Sequence, residues 1–401
     1  MWLLLHCFAG ATPPSTWALR NVSLLDPSAG RYTQIRLAPD GNATMIWNAV
    51  GATAGLRLSR CLDDSCRAWS PPATISGVDT NPRFMRMELL TAQPIVVFAA
   101  ADGRELHAVR CADAACAALG ARAVLAHTEK VRYNDVRLLH NELLVAVSLS
   151  NITHPGVELY LLRVNADDLS VRDRSLVARS DVPFGINEST SFPTGGLEAP
   201  CLLVGDDGAA DVAYWDVVGR RLALVWDAGS PNATTATVAA ASSPRSNPGA
   251  WVRGVRVGGT LMLAYFDLPA AELRLVRCER ATRRCDAPRL LDGEVARGDY
   301  TDYGAGAFPE MRVGPGGNPV LVYFSTAAVT GAGELRAAFC ADAHYESVVV
   351  RTLATGRAGF GRDASVAFAS AGGELAMMVT LLDRGLGNAS DAATRLAVLT
   401  P

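Results

Sequence analysis

Lysine is almost absent from this chain of 401 residues: Lys130 stands alone, and arginine supplies the rest of the 37 basic positions. With 40 acidic residues the formal net charge is −3, so there is no basic field of the kind that holds nucleic acid. No apolar run approaches the roughly 18–20 residues of a membrane-spanning helix, so no transmembrane span is expected. No segment carries convincing helical periodicity. The six histidines are scattered. There is no P-loop, G-x-S-x-G, H-E-x-x-H or C-x-x-C cluster. These absences leave no cofactor and no metal to expect.

What is present points to an oxidising compartment. N-x-S/T triplets occur at Asn21, Asn42, Asn151, Asn187, Asn232 and Asn388. Chance would give roughly 1.6 of them, so the excess reads as glycosylation. Most lie in turn-like contexts such as PDGNAT and GSPNATT. Nine cysteines, several at a fixed short spacing, fit the same compartment. Residues 1–14 are apolar with small residues near their end, which reads as a signal or leader segment carrying Cys7, with an N-terminal strand as the alternative. The expectation is a secreted or luminal glycoprotein whose remaining residues, 15–401, form a single domain.

That domain is built from repeats. LRLSRCLDDSC at 56–66 returns as LHAVRCADAAC at 106–116, as LRLVRCERATRRC at 273–285 and as LRAAFCADAHY at 335–345. Ahead of each lies another alternating strand: NATMIWN, QPIVVFA, TLMLAYFD and NPVLVYFS. Three further segments share the layout without the cysteines. The strands are short and bounded by Gly, Asn, Asp and Pro, as in APDGN and GPGGN. Units begin near Tyr32, Arg83, Tyr133, Phe192, Trp251, Phe308 and Ser365. The reading is an all-β fold, a seven-bladed β-propeller of four-stranded antiparallel blades. The last unit is one strand short, and the strand-like WALRNVSLLD at 17–26 is expected to complete it and close the ring, removing exposed sheet edges. A six- or eight-bladed ring, or two packed β domains, is the runner-up.

In such blades the strands zigzag outward from a central channel, so the hairpins joining first to second and third to fourth strands share one face. Cys61 and Cys66 flank a third-to-fourth hairpin, as do Cys111 and Cys116 and, around a longer turn, Cys278 and Cys285. Opposed residues of antiparallel strands come within disulfide range, so three staples are expected. A zinc site needs more ligands than lie nearby, and a redox pair would be C-x-x-C. Cys201 and Cys340 have no such neighbour: they are buried thiols or pair at long range. At these residues a family resemblance appears. CLDDSCRAW, Cys61 to Trp69, is similar to the Asp-box hairpin of sialidase-like propellers, S-x-D-x-G-x-T-W, with Asp63 at the Asp position; CADAAC and CADAHY keep Asp113 and Asp342. Cys61 stands at the Ser position, Ser65 at the Gly position, and Trp69 comes one residue late. The resemblance implies a structural turn on the face away from the active site.

A ligand site is therefore expected on the opposite face, where inter-blade loops converge. Several units open on a basic–aromatic pair: Arg31-Tyr32, Arg83-Phe84 and Arg132-Tyr133, with Arg253 and Arg362 at similar places. Such recurrence also suits packing between blades. Asp216, Asp267 and Asp383 end second strands, and the loop Gly298 to Glu310 gathers Tyr300, Asp302, Tyr303 and Glu310. Tyr300, Asp302, Tyr303, Glu310, Arg31, Arg83, Arg132 and Asp267 are the candidate ligand contacts. A sialidase would need three arginines gripping a carboxylate beside a Tyr–Glu pair, and no such pair can be assigned from spacing. The function expected is recognition of a glycan or protein ligand. A sialidase-like or other glycan-processing hydrolase and a structural coat glycoprotein are the alternatives; no catalytic residue is assigned.

Overall fold

The computed structural model describes the chain outside residues 1–17, 27–29, 50–53, 64–65, 67, 76–80, 151–155, 186–194, 245, 269, 294–306, 315–316, 327–332, 341–346, 357–361, 372–373, 384–392 and 401, and for some strand residues, Arg31 and Arg362 among them, only the backbone. The leader segment, Tyr300, Asp302 and Tyr303 thus lie outside the described residues. So do Asn151, Asn187 and Asn388 among the glycosylation positions.

The described strands form seven antiparallel sheets, and among the described residues no helix is long and apolar enough to cross a membrane. Each sheet runs outward from an innermost strand, in chain order in the first six. Those innermost strands are Gly30–Leu37, Arg83–Leu90, Val131–Leu139, Leu197–Val204, Asn247–Val257, Ala307–Val313 and Arg362–Ala371, heading blades one to seven. Each contacts the innermost strand of the next blade, and the seventh contacts the first, which makes the assembly a closed β-propeller. The fourth of these strands begins at Leu197, whereas the sequence set that unit near Phe192, outside the described residues. The last blade takes its outermost strand from the other end of the chain: Ala18–Asp26 pairs antiparallel with Ala393–Thr400. Backbone hydrogen bonds thus hold the two ends of the chain together in one sheet.

The core lies between blades. In the second strand of blade three, Leu143, Val145, Val147 and Leu149 pack against blade two, while Leu144 and Ala146 pack against blade four. Side chains alternate across a strand, and both faces of a blade are covered by neighbours, so the middle strands are apolar at nearly every position. Ala43–Ala49 is buried throughout, and Gln93–Ala99 nearly so.

The three expected cysteine pairs are disulfides across third-to-fourth hairpins. In the first hairpin, Asp63 Oδ2 accepts from the Ala68 amide at 2.9 Å and Trp69 Nε1 donates to the Cys66 carbonyl at 3.0 Å. Asp113 Oδ1 accepts from Ala117 N at 3.3 Å in the second. These carboxylates close their turns. Cys201 and Cys340 are both buried. Asn42 and Asn232 lie in turns on this same hairpin face, Asn232 exposed.

Candidate ligand site at the channel mouth

One irregularity recurs in every blade. Pairing between the innermost and second strands slips by a residue at the same place: Arg31/Gln34, Arg83/Arg86, Arg132/Asn134, Glu198/Cys201, Ala250/Arg253, Ala307/Glu310 and Arg362/Ser365. These are β-bulges, which bend a strand and re-aim a side chain. At four of them the extra residue is left-handed and is not glycine: Tyr32 (φ 55°), Phe84 (φ 52°), Ala199 (φ 49°) and Trp251 (φ 50°). Such a backbone costs about 1–3 kcal/mol per residue and tends to cluster at functional sites.

The bulges gather aromatic rings. Tyr32 and Phe84 have centroids 5.4 Å apart, and Phe84 and Tyr133 are 4.7 Å apart. Tyr133 also feels Tyr32 and hydrogen-bonds with Trp251, which belong to blades that are not its neighbours, so the cluster reaches across the mouth. All four are half-buried, leaving ring surface open at the mouth. Burial pushes the Tyr133 hydroxyl up, and the charge of Glu198 pushes it further, so it remains a neutral phenol. Side-chain amides hold the bulges: Asn134 Nδ2 donates to the Phe84 carbonyl at 2.8 Å, and Asn48 Nδ2 to the Pro82 carbonyl at 3.0 Å.

Beside the rings lies a buried ion pair of unusual openness. Arg132 Nη2 is 3.5 Å from Glu198 Oε1, and the Glu198 side chain is 1% exposed. Among the described residues neither atom has a hydrogen-bond partner, nor does Arg132 Nε. The guanidinium also lies 5.2 Å from the Phe184 ring centroid. Phe184 packs so close to Gly196, which has φ +86°, that a Cβ there would come within 2.8 Å of the ring. Burial pushes the Glu198 carboxyl up to about 7, with Arg132 and then Lys130 pulling the other way.

The expected site residues separate into distinct groups. Arg132 is at the mouth, buried, and Arg83 is there but exposed. Asp267 is buried and fully used: its carboxylate accepts from Ser246 Oγ at 2.8 Å and from Asn247 N at 2.7 Å, anchoring the chain into blade five. Asp216 likewise closes its own turn through Gly219 N at 2.8 Å and Arg221 Nε at 2.9 Å. Glu310 is not in a loop but on an innermost strand, deep in the channel beside Arg312, Arg36 and Arg253. Arg253 is there too, so Arg132 and Arg253 bind different carboxylates and do not grip a common point. Glu198 is the residue that sequence reasoning missed. It occupies in blade four the pre-bulge place that Arg31, Arg83 and Arg132 hold in blades one to three.

No protein-family model matches the chain, and no curated protein matches it. Solved structures do resemble it. Penicillium chrysogenum alpha-L-arabinanase complexed with arabinobiose aligns with TM-score 0.52 and 10% identity over 96% of this chain and 98% of that one. An oligogalacturonate lyase in complex with manganese aligns with TM-score 0.53 and 13% identity over 96% of each. The phage phi92 endosialidase aligns with TM-score 0.51 and 10% identity over 95% of this chain and 69% of its own. At these identities the likeness is one of fold: a β-propeller of the kind found in these proteins.

Proposed function

We propose that this is a secreted propeller that recognises a glycan at the channel mouth. The carrying observation is the cluster of half-buried rings, Tyr32, Phe84, Tyr133 and Trp251, set beside the hydrogen-bond-deficient pair Arg132–Glu198. Sugar rings offer C–H faces to aromatic surface and hydroxyls to polar groups, and concave sites combining the two are typical of ligand pockets. Two of the similar solved structures, the arabinanase and the endosialidase, bear names of sugar-directed proteins, which supports the class of ligand. Three disulfides support an oxidising compartment. Glycosylation at Asn42 and Asn232 would leave the mouth clear, since both lie on the opposite face.

A glycan array probed with the purified chain tests this. Binding of one sugar class, weakened about thirtyfold by Trp251→Ala with the fold intact by circular dichroism, is the expected result. Absence of binding to neutral and acidic glycans alike overturns it.

One observation favours a second reading, glycan hydrolysis. A carboxyl with a pKa near 7 is about half protonated at neutral pH and is suited to general acid work, and Glu198 lies close enough to the Tyr133 hydroxyl to raise it. Turnover of fluorogenic arabinosides or sialosides by the wild type, abolished in Glu198→Gln, would establish hydrolysis; no turnover leaves recognition standing.

A further inference from the structure

Beneath the aromatic mouth, the innermost strands project charges into the channel itself. Blade one supplies Arg36, blade two Arg86 and Glu88, blade three Asp135 and Arg137, blade five Arg253, and blade six Glu310 and Arg312. Their side chains are all 20% exposed or less. Glu310 feels Arg312, Arg36, Arg86 and Arg137, from four blades, so the groups surround one space.

Two features show that this cluster is not self-sufficient. The first is charge. Among the described residues five guanidiniums face three carboxylates, an excess of two positive charges. Arginine does not release its proton at neutral pH, so the excess stays, and a buried uncompensated charge is costly. Arg312 registers it: burial, then the nearby Arg36, push its guanidinium down to about 10, against the opposing pull of Glu310.

The second feature is distance. Ion pairs within one strand are short, Arg312 Nη2–Glu310 Oε1 at 2.8 Å and Arg137 Nη1–Asp135 Oδ1 at 3.2 Å. Among the described residues, every pair of this cluster that joins two blades is longer. Arg36–Glu88 is 3.4 Å, Arg253–Glu310 3.6 Å, Arg86–Asp135 3.7 Å, Arg137–Glu88 3.9 Å and Arg36–Glu310 4.0 Å. A good charge-assisted hydrogen bond spans about 2.7–2.9 Å, so the guanidiniums are not drawn onto carboxylates across the channel. Arg86 Nε and Arg312 Nη2 are buried and have no hydrogen-bond partner of acceptable geometry among the described residues.

We infer that the channel binds a small inorganic anion, of the chloride class, as part of the folded protein. The anion takes N–H donors left over from Arg36, Arg86, Arg137, Arg253 and Arg312 and offsets their excess charge. Because those arginines come from five blades, it adds a link across the channel to the contacts that neighbouring blades already make. This site is separate from the mouth and does not depend on the glycan reading.

The test is thermal unfolding of the whole chain while chloride replaces gluconate at constant ionic strength, with a crystal grown in bromide. The expected result is a saturable rise in Tm with chloride, as for any ligand that binds only the folded state. Bromide should give an anomalous peak in the channel within about 3.5 Å of at least two guanidiniums. Arg312→Met removes one charge at similar volume, and its half-saturating chloride concentration should rise about tenfold. A merely structural arginine would lower Tm equally at every chloride concentration and leave that midpoint in place. A Tm unaffected by the exchange, or a channel without bromide, overturns the inference. The wild-type measurements decide it even if Arg312→Met does not fold.

Discussion

Two arginine–carboxylate clusters, one on each face of the propeller, are built from the same chemistry to opposite ends. On the hairpin face, Asp211 is wholly buried. It accepts from Asp227 N at 2.8 Å and from Arg280 Nε at 3.1 Å. Asp227 in turn holds Arg280 and Arg283, which clamps the disulfide-bonded hairpin Cys278–Cys285 of blade five onto blade four. Each carboxylate there has its donors. At the mouth, Arg132 and Glu198 stand 3.5 Å apart, and three of their buried polar atoms have no hydrogen-bond partner among the described residues. A buried polar network that is fully satisfied specifies structure; one that is half satisfied is either a defect or an unoccupied site. The recurring bulges and left-handed aromatics around Glu198 argue for a site.

Breaking the satisfied cluster should have the largest effect. Asp211→Ala strands the Asp227 amide and Arg280 Nε, and removing one partner of a buried ion pair costs about 3–5 kcal/mol. Denaturant unfolding should show a loss in that range, with ligand binding at the mouth unchanged in the protein that remains folded. A loss confined to a few tenths would mean that this cluster is as dispensable as a surface pair.

The mouth should respond to pH instead. Glu198 has a folded pKa raised from 4.5 to about 7. A carboxyl raised in this way binds its proton more tightly in the folded state. Its contribution is therefore fully present below about pH 4.5 and is lost as pH rises through about 7, a total of about 3 kcal/mol. Glu198→Gln, which mimics the protonated form, should abolish that part of the pH dependence and be the more stable protein at about pH 8. The comparison of denaturant midpoints at about pH 5 and pH 8 measures it. A Glu198→Gln profile parallel to wild type would mean that the carboxyl ionises freely and that the mouth is satisfied after all.

How much of this was legible in the sequence depends on which neighbours a residue has. Middle strands such as NATMIWN could be read because both faces are covered by other blades, and period-two apolar runs leave few other folds. The cysteine pairs could be read because facing positions of a hairpin are fixed by its turn length. The channel could not be read as one cluster. Arg36, Arg86, Arg137 and Arg312 look in sequence like the polar face of half-buried strands, and only ring closure brings them together. Arg132 and Arg253 share an approximate position in their repeats, yet the bulge sends one to the mouth and the other into the channel. Glu198 was hidden because blade four replaces the arginine–aromatic pair with Glu198-Ala199 and its innermost strand starts later than the repeat spacing suggests.

The hairpin staples give the smallest effect and the sharpest separation between the faces. Cys111 and Cys116 close a loop with a sequence separation of only five, so their chain-entropy contribution is about 2 kcal/mol. Their turn also has support that survives reduction: Asp113 Oδ1 accepts from Ala117 N, and Gln93 Nε2 donates to the Ala112 carbonyl at 2.9 Å. Cys111→Ser with Cys116→Ser should therefore lower stability by about 2 kcal/mol or less, in denaturant unfolding, without altering ligand affinity at the mouth. The reason is geometric. The second blade meets the mouth through Arg83 and Phe84, at the start of its innermost strand, and its staple is on the opposite face, between its two outer strands. A change in affinity on removing this disulfide would show that strain passes along the blade, and the two faces would then have to be treated as one mechanical unit.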